Sequence, residues 1–104
     1  MMERKESQKM KLQDKMDAVN SQAILKYGIR LQSTVCMEEL AELTQQISKQ
    51  LRGKGDKAHL AEEIADVYIC LDMLRKMYGV DSELLAILIS YKLDRTKDRM
   101  AVGE

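Results

Sequence analysis

RLQSTVCMEELAELTQQISKQLR, residues 30–52, and KAHLAEEIADVYICLDMLRKMY, residues 57–78, decide the reading of this chain. Neither stretch contains a glycine or proline, and only Gly53-Lys54-Gly55-Asp56 separates them. At about 100° per residue, Leu31, Leu40, Leu43, Ile47 and Leu51 form an apolar stripe on the first. Gln32, Val35, Glu39, Glu42 and Gln46 run along one flank, and Glu38 points further outward. On the second, Leu60, Ile64, Val67, Leu71 and Leu74 make the stripe. Glu63 falls inside it, beside Cys70 and Leu74, with His59 and Asp66 on its edge. The pattern predicts two consecutive amphipathic helices joined by a short glycine-rich turn.

Outward from this pair, the remaining glycines mark helix ends, because the chain has no proline. A first helix is predicted from about Asp14 to Tyr27, carrying Met16, Val19, Ala23 and Ile24 on one side and stopped by Gly28. A fourth begins after Asp81 or Ser82, either of which can cap it, and continues to about Met100. Residues 1–11 are charged and almost free of branched apolar side chains, so they read as a flexible N-terminal segment, with residues 12–104 as a single domain. The fold class is all-α, a four-helix-bundle-like module. Composition agrees: 104 residues suffice for one core, and the absence of Phe and Trp leaves that core to Leu, Ile, Met and Val. Seventeen Lys and Arg against seventeen Asp and Glu remove the basic field of a non-specific nucleic-acid binder. Two cysteines are too few for a disulfide scaffold or a thiolate metal site, and no apolar run has membrane length. These features predict a reduced, cytoplasmic protein with no nucleic-acid or membrane partner.

The chemistry follows from the misplaced charges. A carboxylate on a core-facing stripe must be paired, protonated or bound to a cation, which singles out Glu63. Glu39 and Glu42 lie three residues apart, as do Glu63 and Asp66, and such pairs share a helix face. If the two helices pack antiparallel, four carboxylates converge, an all-oxygen set that suits Mg²⁺, or Mn²⁺ as a substitute, better than zinc. One histidine cannot supply the two Glu-x-x-His motifs of a di-iron bundle. Glu38, Glu62 and Asp72 face away from the stripes and read as solvated charges. On the fourth helix, the stripe of Leu84, Leu85, Leu88 and Tyr91 turns cationic through Lys92, Arg95 and Arg99, a row suited to phosphate oxygens. His59 reads as an ordinary histidine, and Cys36 and Cys70 as core residues. Met37, Met73 and Met77 have no obvious partner within the chain, which predicts a homo-oligomer.

The run Glu38-Glu39-Leu40-Ala41-Glu42-Leu43, followed by Glu63-Ile64-Ala65-Asp66-Val67, resembles the ExxE and ExxD signature of MazG-like, all-α nucleoside triphosphate pyrophosphohydrolases. The similarity extends to Lys26-Tyr27-Gly28 and Gln32 upstream and to Tyr91-Lys92-Leu93-Asp94-Arg95 downstream, about residues 20 to 100, with Asp94 where many relatives have Asn. The resemblance is to the short, single-module members. It implies that Glu39, Glu42, Glu63 and Asp66 hold Mg²⁺ and that Lys92 and Arg95 lie near the phosphates. Gln32 would join them as a substrate contact, and Glu38 would orient or deprotonate the attacking water beside Glu39 and Glu63. The implied activity is hydrolysis of a nucleoside triphosphate to monophosphate and pyrophosphate by a homodimer or homotetramer. The alternative is a non-catalytic helical module of the same kind that binds a protein partner.

Overall fold

The described residues form four helices: α1 (Met2–Tyr27), α2 (Ile29–Leu51), α3 (Lys57–Met77) and α4 (Ser82–Ala101). This computed structural model describes the backbone of residues 2–103, and the side chains of Gln8 and of residues 11–103. No strand occurs among the described residues, so the all-α class holds. Helix α1 begins at Met2, well before Asp14, because the Glu, Lys, Gln and Met of the N-terminal stretch are good helix formers with no glycine or proline among them. Of the segment set apart as residues 1–11, the backbone of residues 2–11 thus belongs to α1, while most of its side chains lie outside the described residues.

The turn from α1 to α2 is a single residue, Gly28, at φ 86° and ψ 160°. Its N–H still donates to Ile24 (2.8 Å), closing α1, while its carbonyl accepts from Gln32 (3.1 Å), opening α2. Asp56 caps α3 by accepting from the Ala58 N–H at 2.9 Å.

Helices α2 and α3 form an antiparallel hairpin. The register is read from Ser33 Oγ against Tyr78 Oη (2.6 Å), from Cys36, whose Sγ–H donates to the Cys70 carbonyl (3.8 Å), and from Glu39 against Asp66. The core is small: Cys36, Cys70, Met73 and Met77, with Ala23, Ile24 and Leu74 packed against them. Met73 and Met77 therefore find partners within the chain, contrary to the sequence expectation, and only Met37 of that trio is exposed. The leucine stripe of α2 is also misjudged. Leu31, Leu40, Ile47 and Leu51 are exposed, and the inward face is Gln32, Val35, Cys36, Glu39, Leu43 and Gln46. The small thiols Cys36 and Cys70 let the two helices approach along that line, which turns α2 by somewhat less than one residue step.

Helix α1 is fastened to α3 by polar contacts. Asn20, 2% exposed, donates to the Ile69 carbonyl (3.2 Å) and to Asp72 Oδ2 (2.9 Å). Lys76 Nζ reaches Asp72 (2.5 Å) and Asp17 (2.6 Å). Asp72 is thus not a solvated charge, since its side chain is 8% exposed and faces α1.

Helix α4 departs from the expected bundle: it contains no buried residue, and the packing joins α1, α2 and α3. The radius of gyration, 16.7 Å, exceeds the roughly 13 Å of a compact chain this long.

Candidate functional site

The antiparallel register brings the ExxE turn of α2 opposite the ExxD turn of α3. Glu39, Glu63 and Asp66 each offer a carboxylate oxygen within 4.8 Å of the others. Glu39 and Glu63 are half-buried, and Glu39 Oε2 and Glu63 Oε2 are shut off from solvent with no hydrogen-bond partner. Unsatisfied buried carboxylate oxygens are costly, and two side by side are more so. Burial, followed by the charges of Asp66 and Glu42, pushes the Glu39 carboxyl up to about 7. Burial, then Glu42 and Asp66, raises Glu63 as well. Glu42 itself is exposed and stands at the rim, acting on Glu63.

The other candidate residues distribute unevenly. Gln32 is buried and, with Val35, Glu39, Asp66 and Cys70, lines a groove of about 140 Å³ beside the carboxylates. Glu38 is exposed, one residue step round α2 from Glu39 and outside the cluster. Lys92 and Arg95 do not join the carboxylates within one chain. With Thr96 and Arg99 they line a separate groove of about 300 Å³ formed by α4 alone. His59 is exposed, 3.4 Å from Asp56. Burial and Cys36 push the Cys70 thiol up to about 12, as for a thiol enclosed in the core. Sequence reasoning missed Asn20 and Asp72. The available signal was their place, with Lys76, on the side of the hairpin that a preceding helix has to cover.

No family model, curated protein or solved structure matches the chain. Among the described residues, no helix is long and apolar enough to cross a membrane.

The raised Glu39 carboxyl has a measurable consequence. A carboxyl with a higher pKa folded than unfolded binds more protons when folded. Its contribution to stability is therefore complete below about 4.5 and is lost as pH rises through about 7. Metal-free Glu39→Gln is expected to lose stability less steeply over that window and to melt a few degrees above the wild type at pH 8, at about 4–8 °C per kcal/mol for a chain of this size. Circular-dichroism melts in chelator from pH 4.5 to 8 measure this, and identical slopes for the two proteins would assign the effect to other groups.

Proposed function

We propose that the chain is a Mg²⁺-dependent nucleotide pyrophosphohydrolase, converting a ribo- or deoxynucleoside triphosphate to the monophosphate and pyrophosphate. The observation that carries this reading is the approach of Glu39, Glu63 and Asp66 to within 4.8 Å, with two of their oxygens buried and unpaired. An all-carboxylate donor set fits a hard cation, and Mn²⁺ would substitute. Glu39, Glu42, Glu63 and Asp66 would hold it. When bound, the ion would neutralise phosphate charge and acidify a water. Gln32 supplies a polar contact at the groove beside the cluster. Glu38, on the solvent side of the same turn, is the free carboxylate assigned to orient the attacking water or take its proton.

Lys92 and Arg95 are assigned to the phosphates, Arg as a two-pronged donor and Lys as a point charge. Because they stand apart from the carboxylates in one chain, the reading includes a homodimer or homotetramer. Both side chains are exposed, so Lys92→Gln and Arg95→Gln are expected to leave the melting temperature within about 2 °C of wild type. Each should weaken nucleotide binding and activity by about tenfold, as expected for a lost charged contact of 1–2 kcal/mol. Titration calorimetry with a non-hydrolysable triphosphate, beside steady-state kinetics, measures both, and unchanged values would remove these residues from the site. Pyrophosphate release from a panel of ribo- and deoxynucleoside triphosphates with Mg²⁺ tests the function itself. Inactivity on every member would favour the non-catalytic binding module.

A further inference from the structure

Beside the carboxylate cluster, α2 and α3 part just enough to leave the groove of about 140 Å³. Its two ends differ in chemistry. Glu39 and Asp66 stand at one end, and Gln32 at the other, seven residues back along α2. Seven residues are close to two helical turns, so Gln32 and Glu39 share a face of α2 and lie about 10 Å apart along its axis. Asp66 and Met73 have the same spacing on α3, and the antiparallel register sets Met73 at the Gln32 end. Val35, Ile69 and Cys70 line the groove between them.

Gln32 is the feature that calls for a ligand. It is 8% exposed, yet no hydrogen bond among the described residues occupies its amide. The polar side chains beside it are engaged: Ser33 with Tyr78, Thr34 with the Arg30 carbonyl and Cys36 with the Cys70 carbonyl. A buried carboxamide without a partner is costly, and the side chains of Val35, Ile69 and Met73 can offer it none. One polar group at the end of an apolar slot is the composition of a small-molecule site.

Dimensions select the occupant. An apolar cavity of about 150 Å³ holds one six-membered ring, and a fused double ring needs more. Met73 brings a polarisable thioether, which packs well on a flat ring. A carboxamide carries a donor and an acceptor side by side. These match N3–H and O4 on the edge of uracil and, with the amide turned over, N3 and the N4 amine of cytosine. The separation of Gln32 from Glu39 is the reach from such an edge across a sugar to the α-phosphate. We propose that this groove is a base pocket that takes a pyrimidine and excludes purines, with Gln32 reading the base edge. The proposal rests on the nucleotide reading of the carboxylate site and narrows its substrate to pyrimidine nucleoside triphosphates.

The test separates the base from the phosphates. NMR titrations of the metal-free full chain with uridine, cytidine, adenosine and guanosine are expected to show the two pyrimidine nucleosides bound at least about tenfold more tightly. The shifts should centre on the Gln32 side-chain amide and the Met73 methyl. Gln32→Met keeps the volume and removes an unpaired buried amide, so its melting temperature is expected to stay within about 2 °C of wild type. Its binding of uridine and cytidine should weaken about tenfold. Should Gln32→Met fail to fold, the wild type decides: nuclear Overhauser contacts from the uridine ring protons to Met73 and Ile69 support the pocket, and their absence overturns it. Purines bound as tightly as pyrimidines, or pyrimidine binding indifferent to Gln32→Met, also overturn it. Pyrophosphate release tells this failure from failure of the hydrolase reading. Hydrolysis of purine and pyrimidine triphosphates with similar kcat/KM removes the pocket and leaves the hydrolase. Gln32-dependent uridine binding by a chain that hydrolyses no triphosphate supports the pocket and removes the hydrolase.

Discussion

Glu63→Gln is expected to lower pyrophosphate release by more than about 100-fold, since disturbing even the groups behind a metal ligand costs 10–100-fold, while Glu62→Gln leaves it nearly unchanged. The two residues are chemically identical neighbours about 100° apart around α3. Glu63 brings a carboxylate oxygen within 4.8 Å of Glu39 and Asp66 and has its Oε2 buried without a partner, whereas Glu62 is exposed. The same pair separates metal binding from folding. Without metal, Glu63→Gln relieves repulsion among raised carboxyls and is expected to melt above the wild type at neutral pH. With Mg²⁺ at about 100 times its dissociation constant, a wild type that binds the ion as proposed is expected to gain about 2.7 kcal/mol, and Glu63→Gln to forgo most of it. Melts with and without Mg²⁺ beside kinetics of both variants check this. Equal effects of the two substitutions would place the metal and the chemistry elsewhere.

The largest loss of stability is expected at Asp72. Asp72→Ala leaves Lys76 with only Asp17 and deprives buried Asn20 of an acceptor. Removing the better-buried partner of Lys76 and one of the two acceptors of Asn20 costs about 3 kcal/mol, or roughly 15 °C in Tm at this chain length. Asp17→Ala removes the exposed end of the same cluster and is expected to lower Tm far less. Thermal and urea melts of the two variants measure the difference, and equal losses would show that the cluster acts only through surface charge. Burial alone would raise the Asp72 carboxyl, but the bonds from Lys76 and Asn20 outweigh it and hold it below its ordinary range. Its contribution is accordingly present above about 3.8 and lost as the pH falls further, the opposite direction from Glu39.

The helix boundaries near glycine were legible in the sequence, because a left-handed stop is a local property. Gly28 and Gly79 sit where the punctuation puts them. The convergence of Glu39, Glu63 and Asp66 was legible too, because the three-residue spacing and a short turn leave an antiparallel hairpin few registers. The rotation of α2 was not. Five large aliphatic residues suggested one face, but small Cys36 and Cys70 set the line of closest approach, so Glu39 rather than Leu40 turns inward. Asp72 was misread for a related reason: a charge opposite the α2-facing stripe looks solvated until a third helix is laid over it. The separation of Lys92 and Arg95 from the carboxylates depends on how α4 leaves α3, a tertiary property that periodicity within α4 does not encode.

The corner at Gly28 has a consequence for how freely this chain can vary. A Cβ placed there would meet nothing within 4 Å, so crowding is not the obstacle. The obstacle is the handedness of amino acids. A backbone at φ 86° and ψ 160° lies in a region that belongs almost entirely to glycine, and other residues enter it at a cost of about 1–3 kcal/mol. For a chain whose whole stability is of the order of 5–15 kcal/mol, that penalty is a large fraction. One position with empty space around it is therefore among the least replaceable in the sequence, and the direction in which α1 leaves the hairpin is inherited through a single codon.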